Sequence, residues 1–176
     1  SGDYSTASGY DSNASGSYST ASGYYANASS TNSIAIGTNS TASNTNAIAL
    51  GANATASGYT NSIAIGSNAS ASGYLDSIAI GSNAIATDTN SIALGTDSTA
   101  SGYFSTALGS NASASGYKST ALGYGANASS NSTALGTGAN ASANHSTAIG
   151  YNASADVANQ ISIGDSNASI KIESLA

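Results

Sequence analysis

Apolar and polar residues alternate along two kinds of short segment that recur throughout the chain. The first kind places Ile or Leu on both sides of an alanine, as in Ser-Ile-Ala-Ile-Gly at residues 33–37 and 62–66. The second kind places Thr or Ser between two alanines, as in Ala-Thr-Ala-Ser-Gly at residues 54–58. Because alternation with a period of two is typical of β-strands, each kind of segment predicts one short strand.

One glycine ends each segment of the first kind. These repeat glycines are Gly9, Gly23, Gly37, Gly51, Gly66, Gly81, Gly95, Gly109, Gly123, Gly136, Gly150 and Gly164. Eight of the eleven intervals between them are fourteen residues, two are fifteen and one is thirteen. A repeat this short cannot exclude water by itself, so successive copies must stack. The spacing therefore predicts an all-β parallel β-solenoid of about twelve coils, each with two short strands and two tight turns.

The residues between the strands suit tight turns. An asparagine often stands two places after the repeat glycine and tolerates a positive φ, as glycine does. These asparagines are Asn39, Asn53, Asn68, Asn83, Asn111 and Asn152. The chain has no proline, which fits a structure in which every backbone N–H is needed for hydrogen bonding between coils.

Two assignments of the strand faces are possible. The central alanine of the first segment recurs in eleven of the twelve coils, with Ser162 as the exception. Short turns hold the two sheets no further apart than about 10 Å, which favours alanine inside and Ile or Leu outside. The outer apolar stripe would then be too large for a monomer to leave in water, which predicts self-association. The opposite assignment, with Ile and Leu inside, would allow a monomer; we favour the first. The apolar stripe comprises Ile34, Ile36, Ile48, Leu50, Ile63, Ile65, Ile78, Ile80, Ile92, Leu94, Leu108, Leu122, Leu135 and Ile149.

The combined motif, Ser-Ile-Ala-Ile-Gly followed by x-Asn-Ala-x-Ala-x-Gly, resembles a known repeat. Over about residues 5–168 it is similar to the YadA-like head repeat of trimeric autotransporter adhesins. The resemblance implies a left-handed parallel β-roll, a homotrimer with the apolar stripe as its interface, and a role in attachment outside a Gram-negative cell. Bacteriophage tail fibres carry similar repeats, so a tail-fibre shaft segment for host recognition is an alternative.

Three parts of the chain depart from the pattern. Residues 5–9 and 19–23 read Ser-Thr-Ala-Ser-Gly, with polar residues where Ile stands elsewhere. Near Gly125 and Gly138 the extra glycines predict a two-residue insertion in one turn, with shorter loops after it. After Gly164 no further repeat glycine follows and charged residues enter. We expect β-roll repeats over residues 1–164 and a closing coil, or a junction to a following domain, over residues 165–176.

Tyrosines follow glycines at both predicted turns. Tyr59, Tyr74, Tyr103 and Tyr117 follow the glycine of the second segment, and Tyr10, Tyr24, Tyr124 and Tyr151 follow the repeat glycine. Two edges of the solenoid should therefore carry partial aromatic ladders. An exposed tyrosine offers a flat apolar ring and a hydroxyl, which suits adhesion to a protein or glycan receptor. Stacking of the rings on one another, with a purely structural role, is the alternative.

Composition excludes several function classes. The net charge is −6 with only two basic residues, which argues against nucleic acid as a partner. No apolar run approaches the roughly twenty residues of a membrane helix, so we expect no membrane insertion of this segment. Cysteine is absent and the eight acidic residues are scattered, so we expect neither metal nor cofactor. His145 stands alone in a predicted turn and forms no catalytic constellation with neighbours, so we do not expect an enzyme.

The remaining hypotheses are non-enzymatic. The first is an extracellular adhesin head or fibre segment on a bacterial surface, which binds an unidentified host receptor through many weak contacts. The second is the tail-fibre segment. The third is an ice-binding solenoid, although its Thr55-type column is mixed in sequence. Because the chain has no Met and starts within a repeat, we also expect an export signal and anchor to lie outside it.

Overall fold

The computed structural model describes residues 2–165 and 167 of the 176-residue chain. The described part consists of two parallel β-sheets, which we call sheet 1 and sheet 2, with twelve and eleven strands. Sheet 1 contains β1 (Thr6–Ser8), β3 (Thr20–Ser22), β5 (Ile34–Ile36), β7 (Ile48–Leu50), β9 (Ile63–Ile65), β11 (Ile78–Ile80), β13 (Ile92–Leu94), β15 (Thr106–Leu108), β17 (Thr120–Leu122), β19 (Thr133–Leu135), β21 (Thr147–Ile149) and β23 (Ile161–Ile163). Sheet 2 contains β2 (Asn13–Ala14), β4 (Asn27–Ala28), β6 (Thr41–Ala42), β8 (Thr55–Ala56), β10 (Ser70–Ala71), β12 (Ile85–Ala86), β14 (Thr99–Ala100), β16 (Ser113–Ala114), β18 (Asn127–Ala128), β20 (Asn140–Ala141) and β22 (Ser154–Ala155).

The chain alternates between the two sheets, so each coil contributes one strand to each. We number the coils 1 to 12 by their strands in sheet 1. Every strand pairs with the equivalent strand of the next coil, and identical positions align, as Ala35 does with Ala49. The backbone hydrogen bonds run between coils; for example, Thr41 N donates to Ala54 O at 2.8 Å. The predicted β-solenoid is therefore confirmed.

The interior is filled by alanine and serine. The central alanines of both sheets, such as Ala35 and Ala56, are fully buried. Within the described part, the largest side chains that are fully buried are serines, including Ser33 and Ser62. The assignment with alanine inside is confirmed, and the alternative with Ile and Leu inside is wrong. The space between the sheets is too narrow for larger side chains, so the apolar stripe lies on the outer face of sheet 1.

The two turns of each coil behave differently. The first turn, from sheet 1 to sheet 2, has four residues in every coil that the structure describes, as in 37–40. The second turn, from sheet 2 back to sheet 1, has five residues in most coils. It has six at residues 57–62 and 72–77 and four at residues 129–132. All of the variation in repeat length therefore lies in the second turn.

The predicted insertion near Gly125 and Gly138 is wrong. Both glycines, in coils 9 and 10, occupy the first-turn position that Asn111 holds in coil 8, and their φ values of 63° and 68° match its 58°. Glycine thus replaces asparagine at a left-handed position without lengthening the turn. The six predicted turn asparagines all have positive φ, between 50° and 58°.

Almost all of the stretch predicted to close the solenoid, residues 165–176, lies outside the described residues. The boundary proposed at residue 164 therefore stays a prediction. In the described part, no helix long and apolar enough to cross a membrane is found.

Candidate contact surfaces

Two columns of side chains flank the buried alanines on the outer face of sheet 1. One column holds Ile in coils 3 to 7 and Thr in coils 8 to 11, with the change between Ile92 and Thr106. The other column holds Ile or Leu in every coil from Ile36 to Ile163. All fourteen residues of the predicted apolar stripe lie in these columns. The apolar surface is therefore two side chains wide in coils 3 to 7, one wide in coils 8 to 11, and two wide again in coil 12, where Ile161 and Ile163 stand in the two columns.

A single chain leaves this stripe in contact with solvent. Ile36 is 43% exposed and Leu135 is 41% exposed, while Ile63 and Leu50 are half-buried by their neighbours along the column. The stripe ends at coil 3, because coils 1 and 2 place Thr6 and Ser8, then Thr20 and Ser22, at the same positions. A continuous apolar face of this length is typical of a protein interface.

The outer face of sheet 2 is polar. Its strands direct Asn, Thr and Ser outward in all but one coil, where Ile85 is 38% exposed. The Thr55-type column contains Thr, Ser, Asn and Ile, so no long run of one residue type forms. The two outer faces thus differ sharply in polarity, and only the outer face of sheet 1 has a continuous apolar surface.

The eight predicted tyrosines are all exposed at the turns, by 40% to 66%. Their rings stack in pairs between adjacent coils and do not form continuous ladders. Tyr10 stacks on Tyr24 with ring centroids 5.4 Å apart, Tyr59 on Tyr74 at 5.0 Å, and Tyr103 on Tyr117 at 5.9 Å. Tyr124 and Tyr151 have no ring partner within the described residues, because Thr137 holds their position in the coil between them. Stacking is therefore observed for three pairs, and both a purely structural role and ligand contact stay predictions.

Four exposed aromatic residues were missed by the glycine-tyrosine pattern: Tyr4, Tyr18, Tyr25 and Phe104. All four have φ between 54° and 59°, at turn positions where other coils carry Asn or Asp. Tyr4 stacks on Tyr18 at 5.3 Å, and Tyr25 and Phe104 make edge contacts with their neighbouring tyrosines. Their signal in the sequence was their alignment with the turn asparagines of later coils.

Amide side chains form hydrogen-bonded ladders along both turns. At the first turn, Asn53 Nδ2 donates to Asn68 Oδ1 at 3.0 Å, and Asn68 Nδ2 donates to Asn83 Oδ1 at 3.2 Å. The ladder ends at Asp97, which accepts from Asn83 at 2.9 Å. A similar ladder at the second turn ends at Asp76. The first-turn ladder, which begins with Asn39 donating to Asn53, links coils 3 to 7, which are also coils with the double apolar column.

Charged side chains are few and separate. Lys118 Nζ lies 5.0 Å from the centre of the Tyr117 ring. His145 is exposed in a second turn with φ of 57°, as expected for a turn residue. Among the described residues, no group of three His, Cys, Asp or Glu side chains is arranged to hold a metal ion.

These features define the class: a parallel β-solenoid with an alanine core, one apolar outer face and aromatic turns. The family model of the YadA head domain repeat matches residues 1–26, 28–54, 42–59, 60–84, 75–98, 86–112, 100–126, 114–131 and 128–153. The chain therefore belongs to the YadA head family, and the predicted resemblance is confirmed.

One solved structure is similar over nearly the whole chain. It is the crystal structure of the collagen-binding domain of the Yersinia adhesin YadA, with 27% sequence identity and a TM-score of 0.53. The match covers 95% of this chain and 78% of that domain. No curated protein sequence matches the chain.

Proposed function

We propose that the chain is a segment of a homotrimeric surface adhesin in which the apolar stripe forms the interface between three copies. The observation that carries this proposal is the contrast between the outer faces: sheet 1 exposes Ile and Leu columns, whereas sheet 2 exposes Thr, Ser and Asn. Burying an apolar stripe stabilises association, at about 25 cal/mol per Å² removed from water. Membership of the YadA head family supports a trimer as the arrangement.

In this trimer, the polar face of sheet 2 and the turns are directed away from the axis. The trimer then presents each aromatic turn three times, once on each chain. Weak contacts multiplied in this way give a high overall avidity without a deep pocket. The segment is non-enzymatic in this proposal: its surfaces position contacts and perform no reaction.

The proposed location is the outer surface of a bacterial cell. The matched Yersinia domain is described as collagen-binding, which supports an adhesive role for this chain toward an extracellular receptor, without identifying that receptor. A tail-fibre shaft segment would share the same fold and trimer and is the alternative. The mixed outer column of sheet 2 gives the ice-binding hypothesis no specific support, and a thermal hysteresis measurement on the purified chain would test it.

Sedimentation equilibrium on the purified chain tests the assembly. We expect a single species of about three times the chain mass of 16.8 kDa. A monomer stable at micromolar concentrations would contradict the proposed interface.

Attachment is tested separately, by measuring the retention of beads coated with the chain on cultured epithelial cells under flow. Beads coated with the variant Ile63→Thr with Ile65→Ser, which interrupts the apolar stripe, are the control, because a weakened trimer should reduce their retention.

A further inference from the structure

We propose that the first turns of coils 1 and 2 form a binding site for neutral glycans, an inference that deepens the adhesive role proposed above. The site consists of Tyr10, Asp11 and Asn13 from coil 1 and Tyr24, Tyr25 and Asn27 from coil 2. It is the place in the described structure where three aromatic rings contact one another in every pairing.

The geometry of the three rings suits a sugar. Tyr10 and Tyr24 are nearly parallel, with an angle of 14° between their planes. Tyr25 stands almost perpendicular to both, with its ring centroid 4.4 Å from that of Tyr24 and 6.0 Å from that of Tyr10. The three side chains remain 46% to 66% exposed, so much of their ring surface is open to solvent. The negative face of an aromatic ring attracts the weakly positive C–H groups of a pyranose.

Polar groups that recognise hydroxyls follow the three aromatic residues closely in the chain. Asp11 is exposed at the left-handed position of its turn, with φ of 49°. Asn13 Nδ2 donates to Asn27 Oδ1 at 3.0 Å, two residues after Asp11 and Tyr25 respectively. A carboxylate oxygen accepts hydrogen bonds from sugar hydroxyls, and an amide both donates and accepts. Aromatic rings with a few convergent polar groups are the usual composition of a small-molecule site.

The backbone at Tyr25 is in a conformation that disfavours an aromatic residue. Its φ of 54° places a bulky side chain in the left-handed region, where the equivalent positions of later coils hold Asn39 and Asn53. A bulky residue is disfavoured in this region by about 1–3 kcal/mol. Tyr4, Tyr18 and Phe104 share this backbone conformation and also contact neighbouring rings. The contacts of Tyr25 with Tyr10 and Tyr24 therefore offset this cost and hold the exposed cluster in place.

Charge selects the class of glycan. The side chains of residues 2–27 include Asp3 and Asp11 but no Lys, Arg or His. The lysine of the described part, Lys118, lies in coil 8. An acidic sugar would be repelled by Asp11 and would find no cation, so the expected ligand is uncharged.

The chain provides its own matched variants for a test. Ser67 and Ser82 occupy the position of Tyr24 in coils 5 and 6, so Tyr24→Ser together with Tyr25→Asn restores a turn sequence that the solenoid already uses. Tyr124→Ser combined with Tyr151→Ser is the control, because both rings are exposed at the same turn position but stand alone. Circular dichroism and thermal unfolding confirm that each variant remains folded.

Saturation-transfer difference NMR on the purified chain measures binding of maltotriose, cellotriose, mannotriose and lacto-N-tetraose, with 3′-sialyllactose as the acidic probe. For the parent chain, we expect transfer of saturation to the ring protons of at least one neutral sugar. The Tyr24 and Tyr25 variant should bind that sugar with an affinity lower by about fivefold or more, and the control variant should bind it with unchanged affinity. Absence of binding to all four neutral sugars, equal binding of 3′-sialyllactose, or equal loss in the control variant would each overturn the proposal.

Failure of this site and failure of the adhesive trimer are distinguishable. A trimer that attaches to cells but transfers no saturation to neutral sugars would refute the glycan site alone. A monomer that fails to attach, yet binds a neutral sugar through Tyr24 and Tyr25, would refute the trimeric adhesin alone.

Discussion

Gly51 faces the backbone of Gly66 in the next coil so closely that a methyl group on Gly51 would place its carbon 2.5 Å from Gly66 O. The φ of Gly51 is also 134°, a value that L side chains rarely adopt. We therefore expect Gly51→Ala to lower the free energy of unfolding by more than about 3 kcal/mol, through backbone strain and steric overlap together. Chemical denaturation followed by circular dichroism measures this change.

Gly125 provides the control for that substitution. No atom outside its chain neighbours lies within 4 Å of the position of an added Cβ, and its φ of 63° is one that asparagine adopts in other coils. We expect Gly125→Asn to change the stability by less than about 1 kcal/mol. If both variants were destabilised equally, the close stacking of the repeat glycines would not be the reason that these positions require glycine.

The alanine core leads to a second prediction. Ala93 is fully buried between the two sheets, and Ala93→Leu adds three carbons where only short side chains are accommodated. Overpacking of this kind typically costs about 1–3 kcal/mol. Thr99→Ile in the same coil adds bulk on the outer face of sheet 2, where Ile85 already stands one coil earlier, and should be nearly neutral. If the two variants unfolded at the same temperature, the space between the two sheets would be wider than the structure indicates.

Several features of the fold were predictable from the sequence because each depends on the repeat itself. The spacing of Gly37 and Gly51 requires stacked coils, and the recurrence of Ala35 in later coils indicates a narrow interior. The position of the length variation was not predictable, because an interval between repeat glycines spans both turns of a coil. The extra glycine at Gly125 was misread as an insertion because Gly and Asn meet the same backbone requirement at the left-handed turn position.

The contact surfaces were only partly predictable. The rule that tyrosine follows glycine found Tyr10 and Tyr24 but missed Tyr25, because a bulky residue is not expected at a positive φ. Ring stacking between coils also depends on which neighbours are aromatic, so Tyr124 and Tyr151 remain single. A local sequence motif does not specify these cross-coil partners; the register of the stacked coils does.

The asparagine ladder gives a third prediction. Asn68 accepts a hydrogen bond from Asn53 and donates one to Asn83. Asn68→Gly removes both bonds but keeps a residue that tolerates a positive φ, so we expect a loss of about 0.5–1.5 kcal/mol. Asn68→Ala adds the backbone penalty and should be less stable than Asn68→Gly. Urea denaturation of the two variants separates the contributions, and equal stability of Asn68→Gly and the parent chain would show that the exposed ladder contributes nothing.

The serines at the end of the second turn give a fourth prediction. Ser33 Oγ donates to Ser30 O at 2.6 Å, whereas the buried Ser62 Oγ has no hydrogen-bond partner. Ser62 ends a six-residue second turn and Ser33 ends a five-residue one, but turn length is not the sole cause, because the unsatisfied Ser105 also ends a five-residue turn. We expect Ser33→Ala to cost about 1 kcal/mol and Ser62→Ala to be neutral or stabilising, because it removes a buried unsatisfied hydroxyl. Ala47 occupies the same position at the end of the second turn before β7, so alanine fits there. A larger loss at Ser62 than at Ser33 in thermal unfolding would contradict this explanation.

The apolar stripe gives the fifth prediction, which tests the proposed trimer at a single coil. Coil 5 directs Ile63 and Ile65 outward, and coil 2 directs Thr20 and Ser22 outward at the same positions. Ile63→Thr with Ile65→Ser therefore converts coil 5 to a sequence that the solenoid already contains. The variant should fold, since it leaves the buried Ala64 unchanged, but each chain would lose two apolar contacts at the middle of the proposed interface.

We expect this double variant to dissociate at concentrations at least tenfold higher than the parent chain, measured by sedimentation over a dilution series. The dissociation constant of a trimer scales with the square of the midpoint concentration, so a tenfold shift in concentration requires a loss of about 2.8 kcal/mol per trimer. Three copies of each substitution enter one trimer, so six lost apolar side chains share this loss. The matched control is Thr55→Ser with Ile85→Thr, which makes similar changes on the outer face of sheet 2. If the control weakened association and the coil 5 variant did not, the copies would be joined through sheet 2, and the Ile and Leu columns would face another partner.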